Sequence, residues 1–423
     1  MPDYRRKKVH TGKRPSAKPE KQKNEINIPV RRKKDKPEEQ AEQTPIHIIR
    51  GKKGERRKKI YVLLGCVAVI AAVLITLSVI LPVSLFESAQ NFFLSFGTGS
   101  FPIDISGNAV VDCEPKDNYY YLVTDTSIMA FTNGGKRRFS YVHGFSSPII
   151  ASSETRAIIF DQGKNTATIY NLAGEVSTVQ SDYPIIAADI AKNGEYALVT
   201  KQNSSAATVT VNNRNGKQLY NINFARDMVN NVDIASSGKK IAVSTLNAEA
   251  GKMVSSVRVY DFNSADPVYS LDLGQDPVYD IENTGSGFFV ATHNKVRYIK
   301  WSDRSVTEYG FEGSISYLRY SSSGVLAVYN KTNDKSINNA VLISNSGKKI
   351  SEFEIKGAIS DIRFAKGRVY AMGDNKITIY DKNGGQLSSC NYGFGGVKIA
   401  VTGSNTVCVM TDSQIKKVVI DKG

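Results

Sequence analysis

From Phe101 to the end, the chain is written in one repeating line. An apolar strand runs into a short turn with glycine, and a second apolar strand follows. The line reads IIAADIAKNGEYALVT at 185–200, NNVDIASSGKKIAVST at 230–245 and VYDIENTGSGFFVATH at 278–293. It returns as ISYLRYSSSGVLAVYN at 315–330 and ISDIRFAKGRVYAMGD at 359–374, with weaker copies at 109–125, 148–162 and 396–412. A second line follows each of the first seven, as in TVNNRNGKQLYNI at 210–222 and VLISNSGKKISEF at 341–353. Its Asn, Asp and Gly residues suit tight hairpin turns. Each repeat therefore holds two hairpins, or four strands.

Repeat starts fall near 109, 148, 185, 230, 278, 315, 359 and 396. Four-stranded units at about 40–50 residues mark the blades of a β-propeller. The expected fold is an all-β propeller of eight blades, with seven as the runner-up count. Extra loop residues at Asn203–Ala206 and Leu246–Ser255 account for the two longest repeats. The last repeat has only three strands, while the strand-like Phe101–Ser106 precedes the first and has no blade of its own. Ring closure follows if 101–106 supplies the outer strand of the last blade, which leaves no open sheet edge.

Upstream the text changes. Ile60–Leu81 contains no charged residue, and 22 residues at about 1.5 Å each match the roughly 30 Å of a bilayer's hydrocarbon core. The segment starts too late and runs too long for a cleaved signal peptide, and it lacks the polar face of a surface helix. It predicts a single transmembrane helix. The chain carries a net charge of +15, of which residues 1–59 hold +13, ending in Arg56, Arg57, Lys58 and Lys59. That asymmetry places the N-terminus in the cytoplasm and the repeats outside. Residues 1–59 are too poor in apolar side chains to fold and read as a disordered basic tail. Their clusters suit anionic lipid or a cytoplasmic protein; with Tyr4 as the sole aromatic, they do not suit nucleic acid. Residues 82–100, rich in Leu and Phe, read either as an interfacial helix or as a stalk packed on the folded domain.

No catalytic constellation emerges. The G-x-S-x-G, H-E-x-x-H and Walker patterns are missing, and His143 and His293 lie in separate repeats and read as loop or strand-end residues. The three cysteines beyond the span (Cys113, Cys390, Cys408) fit no metal spacing and read as buried thiols. No cofactor is expected, and Trp301 reads as a packing residue. Asp189, Asp233, Asp280 and Asp361, with Asp112 more loosely, recur near the start of their repeats, where propeller strands line the central channel. A carboxylate ring of this kind would bind a cation or a basic ligand; otherwise these side chains satisfy neighbouring backbone groups.

The hairpins Asn213…Gly216-Lys217 and Asn345…Gly347-Lys348 resemble those of WD40-like and quinoprotein-like propellers, without their Gly-His and Trp-Asp pairs. The layout of basic tail, one span and divergent propeller resembles an uncharacterised family of Gram-positive, mostly clostridial, membrane proteins of unknown function. That likeness implies the topology and no activity. The expected function is a membrane-anchored extracytoplasmic binding or scaffold module at the cell envelope, with an envelope or membrane protein as partner. The alternative is a propeller enzyme, or a cation- or glycan-binding domain, using the four aspartates.

Overall fold

A computed structural model describes residues 60–65, 83–332 and 334–421. The basic tail, including Arg56–Lys59, and most of the apolar segment lie outside the described residues. Residues 60–65 are helical; among the described residues no helix is long and apolar enough to cross a membrane.

Residues 103–419 form eight four-stranded antiparallel sheets, each a blade. The inner strands are Val110–Pro115, Pro148–Ser152, Ile185–Ile190, Met228–Ile234, Asp280–Asn283, Ser314–Ser321, Asp361–Ala365 and Gly396–Gly403 for blades 1 to 8. The inner strands of blades 1 and 8 touch, which closes the ring. The eight-blade count holds. So does the closure: Ile103–Asp104 is the outer strand of blade 8, with Ile103 opposite Ile415 and Asp104 opposite Gln414.

Burial follows from stacking the blades face to face. A middle strand has a neighbouring sheet on both sides, so it reads as a continuous apolar run instead of an alternating one. Tyr119–Thr124 and Arg156–Asp161, the second strands of blades 1 and 2, are buried at every position. The outer strand Gln386–Asn391 of blade 7 alternates between exposed and half-buried. This alternation corrects the reading of Cys390, whose thiol is only half-buried because it sits on that strand. Cys113 and Cys408 are buried free thiols in one core cluster between blades 1 and 8.

A second correction concerns Leu246–Ser255. It is no loop: the second and third strands of blade 4 continue through it, pairing Leu246 with Ser255 and Glu249 with Lys252. Ala250 and Gly251 turn the hairpin with φ of 51° and 78°, the doubly left-handed geometry of a type I′ turn.

Val83–Leu94 forms a helix that packs on the propeller. Asn91 donates to the carbonyl of Thr155 at 2.7 Å and accepts from the amide of Leu172 at 3.2 Å. The carboxylate of Glu87 takes a forked contact from Arg156, 2.9 Å to Nε and 2.6 Å to Nη2, and a third from Arg214 at 3.0 Å. Thr155, Leu172 and Arg214 all lie in turns between first and second or between third and outer strands. Such turns share one end of a meandering blade, so the helix rests on a single face of the ring. Beyond it the chain crosses blade 1 backbone to backbone: the amide of Gly99 donates to the carbonyl of Gly134 at 2.9 Å. A Cβ on Gly99 would sit 2.2 Å from the carbonyl oxygen of Gly135, so only glycine permits the crossing.

Two predictions follow from seam and clamp. Ile415 is fully buried against blade 1; Ile415→Ala removes core beside a two-residue strand and should cost about 2–5 kcal/mol in denaturant unfolding. Glu87→Ala strands two arginines in a site where Arg156 keeps only 3% of its side-chain surface. The expected loss is about 3–5 kcal/mol, with the helix becoming susceptible to limited proteolysis.

Candidate functional site

The inner strands carry charge in two tiers. In the tier nearer the hairpin turns stand Glu114, Asp189, Asp233, Glu282, Arg319 and Arg363, opposite Tyr121, Ala197, Ala242, Phe289, Leu326 and Tyr370. Two residues earlier, opposite Val123, Ala291, Met372 and Met410, stand Asp112, Asp280, Asp361 and Lys398. The four sequence-predicted aspartates are therefore split, Asp189 and Asp233 in one tier and Asp280 and Asp361 in the other. The cause is the place of the glycine in the turn, fourth at Gly194 in blade 3 and second at Gly285 in blade 5. In blade 3 the turn closes from Ala191 to Glu195, whereas in blade 5 it closes from Thr284 to Gly287. Aligning repeats on glycine slides blade 5 by two residues, and it was Glu282 that the alignment missed.

The ring is also divided by charge. From blade 6 round to blade 2 each charge has a partner. Arg319 meets Asp361 at 3.1 Å, Arg363 meets Asp361 at 3.3 Å, and Lys398 meets Asp112 at 3.1 Å. Lys116 donates to Ser152 Oγ at 2.7 Å, and Ser152 Oγ donates to Glu114 at 2.8 Å. All but the Arg363–Asp361 pair, which lies within blade 7, link adjacent blades, and Arg363 also reaches the carbonyl of Cys113 at 3.1 Å, joining blade 7 to blade 1. Asp361 additionally accepts from the amide of Ile399 in blade 8 at 2.9 Å.

Blades 3 to 5 present acids without such cations. Asp189 accepts from the amide of Ile234 in the next blade at 2.7 Å, and Asp280 from its own neighbour Ile281 at 3.0 Å. Asp233 is 9% exposed, and its Oδ1 has no hydrogen-bond partner; the buried hydroxyl of Tyr320 has none either. Crowding by protein strips water from these carboxyls although several keep part of their surface open toward the ring's axis. Desolvation pushes Asp189 up to about 6, Asp280 to about 7 and Glu282 to about 8, where the charges of Asp280 and Asp189 add to the effect. Asp233 moves well above the carboxylate range for the same reason, with Asp189 next in weight. Glu282 of blade 5 also feels Lys116 and Glu114 of blade 1, so the groups face one another across the axis. Chemically, Asp233 and Glu282 hold protons at neutral pH while Asp189 is largely ionised, and the half-ring would exchange those protons for a cationic group. Among the described residues no three His, Cys, Asp or Glu side chains stand close enough to hold a metal ion.

The two histidines end strands, as expected. His143 contacts the carbonyl of Thr124 at 3.0 Å; His293 lies between Tyr279 at 3.3 Å and Ser314 at 2.8 Å. Trp301 packs against Phe288 with centroids 4.9 Å apart, under Lys240 at 5.2 Å.

On the face opposite the helix, the exposed large apolar side chains among the described residues include Val142, Tyr183, Met228, Met253, Tyr279 and Phe394. They sit at strand ends and connections spread round the ring. The blade 4 hairpin, two ten-residue strands, projects from the same face.

Blade count, closure and inner-strand chemistry define an eight-bladed β-propeller with a polar axis. The chain belongs to a family of unknown function, DUF5711, whose sequence profile matches residues 104–420. Among solved structures it is similar to the C-terminal WD40 domain of Sif2, with 12% identity and a TM-score of 0.51 over 77% of this chain and 100% of that one. It is also similar to BamB from Moraxella catarrhalis, with 11% identity and a TM-score of 0.46 over 75% of this chain and 99% of that one. Likeness at such identity concerns the fold. No curated protein matches the chain in sequence.

The raised carboxyl pKa values make stability pH-dependent. The folded state holds the Glu282 proton up to about pH 8, the unfolded chain only to about 4.3. Stability from this group is therefore complete below about pH 4 and is lost as pH rises toward 8. Glu282→Gln should raise Tm by about 2–4 °C at pH 8 and leave it unchanged near pH 4, as read by calorimetry.

Proposed function

We propose that this protein is a membrane-anchored, extracytoplasmic binding module, held by Ile60–Leu81 with its basic tail inside. Arg56, Arg57, Lys58 and Lys59 would lie against anionic lipid of the inner leaflet. The observation that carries the binding role is the exposed set of Tyr279, Phe394, Met228 and Met253 on the face away from the helix. Aromatic and methionine side chains standing in water at loop ends are the groups that anchor protein interfaces. The blade 4 hairpin adds a projecting edge on the same side. The partner class is an envelope or membrane protein, and the reading assigns the domain no catalysis.

The acidic half-ring favours one refinement. Asp233 has a buried oxygen without a partner, and an unmet buried acceptor is costly unless something completes it. A lysine or arginine side chain of a partner, entering along the axis, would do so. This recasts the cation-binding alternative as recognition of a basic side chain.

The test is site-specific photocrosslinking in intact cells. Crosslinkers at Phe394 and Met253 should capture the same protein, and one at Leu387, on an outer strand, should not. Absence of a common adduct from the two loop positions would sink the proposal.

A further inference from the structure

The helix Val83–Leu94 carries its polarity the wrong way round for a helix on a protein surface. Its only charged residue, Glu87, is 7% exposed, and Asn91 and, just past its end, Ser95 are buried with it. Leu85, Phe86, Phe92 and Phe93, with Phe96 just beyond the end, are 50%, 64%, 52%, 73% and 58% exposed. At about 100° per residue these apolar side chains share the side opposite Glu87 and Asn91.

In water the arrangement is unfavourable. Burying any one of the phenylalanines would gain roughly 1.5–3 kcal/mol, yet the fork from Arg156 and the two bonds of Asn91 fix the helix with its aromatic side outward. Phe92 and Phe96 pack edge to face at 4.9 Å, making a continuous apolar strip. The strip has no charge with which to match a polar partner. The helix begins two positions after Leu81, where the charge-free segment ends.

We propose that this strip lies in the outer leaflet, at the boundary of headgroups and acyl chains, and sets the propeller's orientation on the membrane. The inference rests on the anchored reading of Ile60–Leu81. The occupant is lipid: the face follows directly on a bilayer-length segment, and a helix lying in the interface buries its apolar side about 5–10 Å deep. The clamp then has a purpose. It makes helix and propeller one body, so the face of the turns at Thr155, Leu172 and Arg214 is held toward the membrane. The loops bearing Tyr279 and Phe394 are held away from it.

The experiment uses the full-length chain in vesicles of phosphatidylcholine and phosphatidylglycerol carrying brominated acyl chains. Trp301 is replaced by phenylalanine, and F93W or, as an independent reporter, F86W supplies the sole tryptophan. The expected result is loss of emission from both reporters, strongest with bromine at shallow acyl positions. The same samples are extracted with alkali. Emission unchanged by brominated lipid, in a chain that resists extraction, overturns the lipid-facing helix and leaves the anchored reading standing. Release by alkali overturns both. Unquenched reporters together with crosslinks from Phe93 to a protein in intact cells would assign the strip to a protein partner and overturn the proposal.

Discussion

Everything in this molecule depends on one short pairing, Ile103–Asp104 against the third strand of blade 8. A ring of sheets has no natural end, and without this pairing the third strand of blade 8 would keep backbone donors and acceptors open toward the outer rim. Closing the ring with residues from the opposite end of the sequence satisfies that edge. The inner strands of blades 1 and 8 meet inside it, and within the closed ring burial raises the carboxyls of blades 3, 4 and 5, with their mutual charge adding to it at Asp233, Asp280 and Glu282.

The same closure explains the division of charge. Blade 1 must meet blades 7 and 8 although it is distant from them in sequence, and there the contacts are made by cations: Arg363 to the Cys113 carbonyl and Lys398 to Asp112. Blades 3 to 5 follow one another directly along the chain. Their inner strands are joined through amides and carboxyls instead, as between Asp189 and Ile234. Paired charge sits at the seam, and proton-holding acid sits across from it.

Much of the fold was legible because its causes are local. Turn glycines at short intervals and apolar runs of strand length report the blades directly, and the missing fourth strand of the last repeat announced the closure. The site was less legible. Asp280 and Asp189 differ in tier although each stands five residues before a turn glycine, because Gly285 comes early in its turn and Gly194 late; that offset is invisible when glycine serves as the ruler. Leu246–Ser255 looked like a loop because its Asn, Ala, Glu and Gly content is not strand-like; pairing within a long hairpin overrode that local preference. The helix was ambiguous for a better reason. Its sequence suits either an interface or a docked stalk, and its polar side is docked while its apolar side is not.

The order of attachments along the N-terminal segment has a mechanical consequence. Tension applied from the side of residue 82 reaches Glu87 and Asn91 first, then the glycine crossing at Gly99, and only then Ile103. The load passes into blades 2 and 3 through a buried three-way ion contact before any of it reaches the seam. A pull from that side therefore loads the helix and its ion contact before the two-residue strand at the seam.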